Sequence, residues 1–301
     1  MSGVSVHTPG SLAELLNLLA NLPNVSIVAG GSDLVPRMTR NKNNTGMAFP
    51  GFGREGLPEK NIVYIGSAGL NDIRESDGNI IIGAAVTITE LLESALVRAK
   101  SPLLVEALSE MAGLTIRNTA TLGGNISNAS PAGDSLPALY VLGASVVTAS
   151  VNGSRNHRID DYISGPGKTA RNADEVLKEI IVPIQKQKGA FIKMGRRKTE
   201  TLSIINAAVL IDVQDDVITN NELGSVRIAI GAAGPTVIRC LAAEDFLCGK
   251  EPTEENFEIA GTYAAEAVSP IDDVRSTAWY RKRMASVITK RALAKALQSA
   301  E

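Results

Sequence analysis

Soft and imidazole ligands are scarce: the 301 residues hold two cysteines, Cys240 and Cys248, and two histidines, His7 and His157. That is too few for a disulfide framework, a four-thiolate zinc site or a cysteine-ligated iron–sulfur cluster, and it argues against transition-metal catalysis within this chain. A Ser-His-Asp triad would have to use one of the two histidines, and no G-x-S-x-G elbow accompanies either. Charge of one sign is also lacking, with 30 Lys plus Arg against 32 Asp plus Glu and a formal net charge of −2. The densest basic run is Arg196-Arg197-Lys198, so the basic face of a nucleic-acid binder is missing. Residues 135–154 carry no charge, yet Pro137, Gly143, Asn152 and Gly153 break them into a short helix and a strand, which excludes a membrane span. The first basic residue is Arg37, so no positively charged secretory leader is visible and a cytoplasmic location is expected.

What is present is the pattern of an ordinary globular chain, 44% hydrophobic and 21% charged, long enough for two or three domains. The opening residues read as strand Val4–His7, helix Gly10–Asn21 and strand Val25–Ala29, with Ser11 and Glu14 at capping-box spacing and Leu12, Leu15, Leu16 and Leu19 on one face. A glycine- and proline-rich loop is expected over 41–60. Strands at Ile62–Ile65 and Asn79–Val86 follow, then helices opened by Thr87 and by Ser101-Pro102. Thr115–Gly133 reads as a long irregular turn, Ser135–Leu142 as a helix, Ser145–Val151 as a strand and Asn152–Asn172 as turn-rich. Strands at Glu179–Pro183, Phe191–Gly195, Ile204–Val213 and Val226–Gly231 precede helices at Glu254–Ala267 and Thr277–Gln298, an α+β pattern with helices on one face of an antiparallel sheet. The domains expected are 1–58, 59–175 and 176–301.

Three segments carry candidate chemistry. Ile27-Val28-Ala29-Gly30-Gly31-Ser32-Asp33-Leu34 runs an apolar strand into paired glycines at a helix start, where free N–H groups can meet a phosphate. A plain strand-to-helix turn capped by Ser32 or Asp33 is the alternative. Arg117–Asn125 holds a second paired-glycine turn, in which Thr121 and Asn125 offer neutral donors. Downstream, Asp134 can accept hydrogen bonds from ribose hydroxyls or a base amine, or simply cap a helix. Phe191–Lys198 is a strand ending in a basic cluster, suited to steadying charge on a reduced cofactor or to lying solvated. Gly51-Phe-Gly-Arg-Glu-Gly56 matches G-x-G-x-x-G but lacks the strand before it and the helix after it, so a Rossmann reading fails.

Together these residues resemble the FAD-binding medium-subunit family of the molybdenum hydroxylases. Ala29–Leu34, AGGSDL, is similar to that family's AGGTDL motif. Arg117–Asn125, RNTATLGGN, is similar to its second motif, which commonly ends TIGGN. Ala129–Asp134 and Tyr280–Ala292 resemble flanking stretches. The resemblance implies an α+β chain with the FAD-binding fold of the vanillyl-alcohol-oxidase/CO-dehydrogenase-flavoprotein type and a C-terminal antiparallel sheet plus helices. It implies that the segment Ile27, Val28, Ala29, Gly30, Gly31, Ser32, Asp33 and Leu34 binds FAD, with the backbone around Gly30, Gly31 and Ser32, together with Thr121, Gly124 and Asn125, on the diphosphate. Asp134 would sit near the adenosine or ribityl hydroxyls, with Leu177 and Lys193 beside the isoalloxazine. Phe191 stands where some members have Tyr. It further implies partner chains carrying iron–sulfur clusters and molybdopterin, a heteroaromatic substrate such as a purine or nicotinate handled elsewhere, and NAD(P) or another acceptor. A stand-alone flavoenzyme and a non-catalytic scaffold subunit are the alternatives.

Overall fold

The structure is a computed structural model that describes residues 4–42, 61–219 and 226–298. From residue 43 the expected loop, and with it Gly51–Gly56, lies outside the described residues. In chain order the elements are β1 (Ser5–His7), α1 (Leu12–Asn21), β2 (Val25–Val28), α2 (Leu34–Lys42), β3 (Asn61–Tyr64), β4 (Ile73–Ser76), β5 (Asn79–Gly83), α3 (Ile88–Glu93), α4 (Ala95–Lys100), α5 (Pro102–Ser109), α6 (Leu114–Arg117), α7 (Leu122–Asn128) and α8 (Ser135–Leu142). There follow β6 (Ser145–Ser150), β7 (Gly153–Arg158), α9 (Ile159–Tyr162), β8 (Ile163–Gly165), β9 (Lys168–Thr169), β10 (Val176–Pro183), β11 (Lys188–Gly195), β12 (Ser203–Ile211), β13 (Val213–Gln214), β14 (Val217–Ile218), β15 (Val226–Gly231), β16 (Ile238–Arg239), α10 (Leu241–Leu247), α11 (Glu254–Ala267) and α12 (Ala278–Gln298). The chain forms two compact units, each drawn from three stretches: Met1–Leu96, Leu114–Ala129 and Ala144–Val182 in the first, and Val97–Gly113, Ser130–Gly143 and Pro183–Glu301 in the second.

In the first unit the Ser11 hydroxyl accepts from the Glu14 N–H at 3.2 Å, and the Glu14 carboxylate accepts from the Gly10 N–H at 2.8 Å, which starts α1. The leucine stripe then buries Leu15 and Leu19 against Val63 and Ile65. β3 lies between β1 and β2 and runs parallel to both. The second sheet has the order β4-β5-β10-β6-β7. Its central β10 begins at Val176, three residues earlier than the apolar run suggested, so this sheet continues past residue 175. The stretch 152–172, expected to be turn-rich, carries β7, paired with β6 from Ser150↔Gly153 to Ser145↔Arg158. An edge strand with exposed polar side chains needs no apolar alternation, which is why its sequence reads as loop. The supposed irregular turn over 115–133 contains α6 and α7 instead.

In the second unit the antiparallel order is β11-β12-β15-β16. Phe257, Ala260 and Ala264 of α11 and Ile288, Ala292 and Leu293 of α12 share one core with Ile205, Ala207 and Val209 of β12. The helix α8, apolar all round and buried along its length, also packs on β12. With helices on both faces, every position of β12 is buried.

Candidate functional site

The first glycine turn is positioned by the parallel sheet. Val28 pairs with Tyr64, and the Ile65 N–H donates to the Val28 carbonyl at 2.9 Å, so β2 delivers Ala29 and Gly30 at the carboxyl edge of the sheet. Gly31 then takes φ +66°, a left-handed conformation that turns the chain into α2. The Val35 N–H donates to the Gly31 carbonyl at 3.1 Å and the Arg37 N–H to the Asp33 carbonyl at 3.3 Å. Among the described residues, no protein acceptor meets the five successive backbone N–H groups from Gly30 to Leu34. A helix N-terminus with a run of unsatisfied amides is a site for a phosphate or another oxyanion.

The second turn meets the first. An ideal Cβ on Gly30 would lie 1.6 Å from the Thr119 carbonyl oxygen, so the backbones touch there. An ideal Cβ on Gly124 would lie 2.9 Å from the Thr121 Oγ1 and 3.9 Å from the Ala29 Cβ. Thr121 caps α7: its Oγ1 accepts from the Gly124 N–H at 2.9 Å, and its carbonyl accepts from the Asn125 N–H at 3.0 Å. The turn is anchored from below by the Leu122 N–H donating to the Val86 carbonyl at 3.1 Å. Arg37 ties the two helices, its guanidinium 2.6 Å from the Asp33 carboxylate and donating to the Asn128 Oδ1 at 2.8 Å. The structure therefore brings Ile27–Leu34 together with Thr121, Gly124 and Asn125. Gly123 leads on to Leu177: its ideal Cβ would lie 2.5 Å from the Ala84 carbonyl oxygen, and the Ala84 N–H donates to the Lys178 carbonyl at 3.0 Å, beside the buried Leu177 and the β10 irregularity.

Asp134 and Lys193 belong to the second unit, where they form a buried pair. The Lys193 Nζ is 2.8 Å from the Asp134 Oδ2, and it also donates to the Glu110 carbonyl at 2.7 Å. The Asp134 Oδ1 accepts from the Ser203 hydroxyl at 2.5 Å and from the Asn206 Nδ2 at 2.9 Å. Asp134 precedes α8 but makes no side-chain capping bond. Its carboxylate is thus held among a cation and two neutral donors. Phe191, on the same strand as Lys193, is buried. Sequence reasoning missed Arg37, Asn128, Ser203 and Asn206. Only Asn206 left a signal, as an amide in the middle of an otherwise apolar strand.

A parallel-sheet edge with two abutting glycine turns offers an oxyanion site, and comparison with known proteins gives the class, a flavoprotein of the molybdopterin dehydrogenases. Residues 53–185 match the model of the FAD binding domain in molybdopterin dehydrogenase, and residues 190–296 match the CO dehydrogenase flavoprotein C-terminal domain. The chain is 32% identical to the carbon monoxide dehydrogenase medium chain of Hydrogenophaga pseudoflava, over 95% of this chain and 94% of that one. It is 28% identical to a xanthine dehydrogenase FAD-binding subunit of Escherichia coli O157:H7, over 98% and 97%. Among solved structures it is similar to carbon monoxide dehydrogenase from Hydrogenophaga pseudoflava, with a TM-score of 0.89, 29% identity and 99% of each chain covered. Quinoline 2-oxidoreductase from Pseudomonas putida 86 gives a TM-score of 0.89 at 28% identity, covering 99% of this chain and 98% of that one. The chain belongs to the FAD-binding medium-subunit family of the molybdenum hydroxylases, and it is an oxidoreductase subunit. No helix among the described residues is long and apolar enough to cross a membrane.

Proposed function

We propose that this chain is the flavin relay of a heteromeric molybdenum hydroxylase, holding FAD while partner chains carry the iron–sulfur clusters and molybdopterin. The observation that carries the reading is the run of unpartnered amides from Gly30 to Leu34 against the second glycine turn. These groups fit a diphosphate, which needs several donors and a close backbone approach, and a Cβ at Gly30 would fill the cradle. Thr121 and Gly124 shape the second side, and Asn125 continues it. When bound, FAD supplies exchange between one-electron and two-electron carriers. The buried Leu177 suits an apolar wall for a planar ring. Lys193, ion-paired with Asp134, suits a ring that becomes more negative on reduction. The electron acceptor is NAD(P) or another carrier, and the substrate is a heteroaromatic such as a purine or nicotinate, bound on a partner.

Support for the partner chains comes from the two cysteines and two histidines, which cannot assemble clusters here. Identifying the released cofactor, with an FAD titration of the emptied chain, tests the cradle. A stoichiometry near one FAD per chain is expected, and FMN or no flavin in an intact assembly defeats it. Reconstitution with and without this chain tests the relay: substrate-to-acceptor electron transfer that continues unchanged in its absence defeats that part.

A further inference from the structure

The strand β11 is the edge of the antiparallel sheet, so one side of its main chain faces away from β12. At Phe191 that side is already closed. The Phe191 N–H donates to the Glu106 carboxylate at 2.8 Å, its carbonyl accepts from the Lys295 Nζ at 3.4 Å, and Glu106 and Lys295 are themselves ion-paired. The main-chain period of two places the N–H and C=O of Lys193 on the same outward side. Neither meets a partner outside the sheet among the described residues. There the strand borders a cleft of about 620 Å³, floored by Ile192, Met194 and Ile288. Arg196, Arg197, Lys198 and Arg291 also line it, against the single carboxylate of Glu110, and none of the four forms an ion pair among the described residues.

We infer that this open edge takes an extended acidic segment of a partner chain as an added strand, which rests on the heteromeric reading above. Two features select a peptide. An outward N–H together with an outward C=O is matched by a strand, which both accepts and donates, whereas a fully ionised phosphate only accepts from the N–H and leaves the carbonyl unmet. The cations, in turn, select acidic side chains, since an uncharged strand would leave them unneutralised. The Glu106–Lys295 latch marks where the added strand stops.

The test is amide hydrogen exchange of the FAD-loaded chain, alone and in complex with its co-purifying partners. The Lys193 amide, the outward-facing one, is expected to exchange at least about tenfold more slowly in the complex. In a Lys198→Glu/Arg291→Glu variant that keeps its FAD spectrum, this protection is expected to be lost. A complex that forms with the Lys193 amide exchanging as in the isolated chain overturns the strand addition and leaves the heteromeric reading standing. If no partner co-purifies, that reading fails, and a blocked (Glu-Val)4 peptide then decides the edge on the isolated chain. Binding that weakens about tenfold on charge reversal, and is absent with (Gln-Val)4, supports the inference. No binding, or equal displacement by ADP, overturns it.

Discussion

The carbonyl of Thr119 occupies the space that a side chain on Gly30 would need, 1.6 Å from the ideal Cβ. Backbone therefore packs on backbone where the two glycine turns meet, and neither can retreat without moving its helix. Gly30→Ala is expected to cost about 2 kcal/mol of stability and to lower FAD affinity at least about tenfold. Gly31→Ala adds left-handed strain and a 3.0 Å approach to the Val35 side chain. Gly124→Ala meets only the Thr121 hydroxyl at 2.9 Å, so it should be mildest of the three. Flavin-fluorescence titration checks the order, and wild-type affinity in the Gly30 variant would detach the turns from the cofactor.

Arg37 couples the same turns through side chains, reaching Asp33 on its own helix and Asn128 on α7. Arg37→Ala is expected to weaken FAD binding about 3- to 10-fold, mainly through faster release, because the cradle loses its tie but keeps its amides. The Lys side chain is shorter and lacks the planar guanidinium, so Arg37→Lys should recover only part of the loss. Stopped-flow release rates distinguish this from an effect on folding, which would lower the active fraction and leave the rate unchanged.

Local signals carried most of the candidate site. Paired glycines after an apolar strand pointed to the cradle, and Ser11 and Thr87 marked helix starts that the structure has, with Thr87 and Glu90 forming a full capping box. Ser135–Leu142, Val226–Gly231 and Glu254–Ala267 were legible to the residue because uniform or periodic apolar runs end at clear stops. What was not legible depends on partners distant in sequence. β7 is polar and becomes a strand only by pairing with β6. The seven residues of α7 are too short for periodicity and contain two glycines, so Thr121 alone announces them. Asn128 is 91 residues from Arg37, and Ser203 is 69 from Asp134, separations at which no local pattern operates.

The Lys193–Asp134 pair should behave as a coupled unit. Lys193→Met leaves a buried carboxylate with only Ser203 and Asn206, and Asp134→Asn leaves a buried ammonium beside the Glu110 carbonyl. Each is expected to destabilise by about 3 kcal/mol, with the double variant costing less than the sum. Urea unfolding of the four proteins measures the coupling. Additive losses would mean the two charges do not sense each other. If Lys193 also steadies the reduced ring, Lys193→Met lowers the flavin potential, a readout that folding energy does not move.

Acid should reach the first unit through Glu175. The Arg155 guanidinium donates to both carboxylate oxygens at 2.6 Å, and the Asn172 N–H adds a bond at 2.7 Å. The hydrogen bonds from Arg155 hold the Glu175 carboxyl at about 2, against an ordinary 4.5, although burial pushes it the other way. A carboxyl depressed in the folded state binds fewer protons there than in the unfolded chain. Its stabilisation is therefore complete above about pH 4.5 and fades as pH falls towards 2. Because the Arg155 side chain is 44% exposed, solvent screening makes the pair worth less than the shift alone would imply. Glu175→Gln should be less stable than the wild type at pH 7, with the gap closing as pH falls from about 4.5 towards 2. Chemical denaturation at pH 7, 5 and 3 measures the gap, and a gap that stays constant with pH would show that packing, not charge, sets the cost.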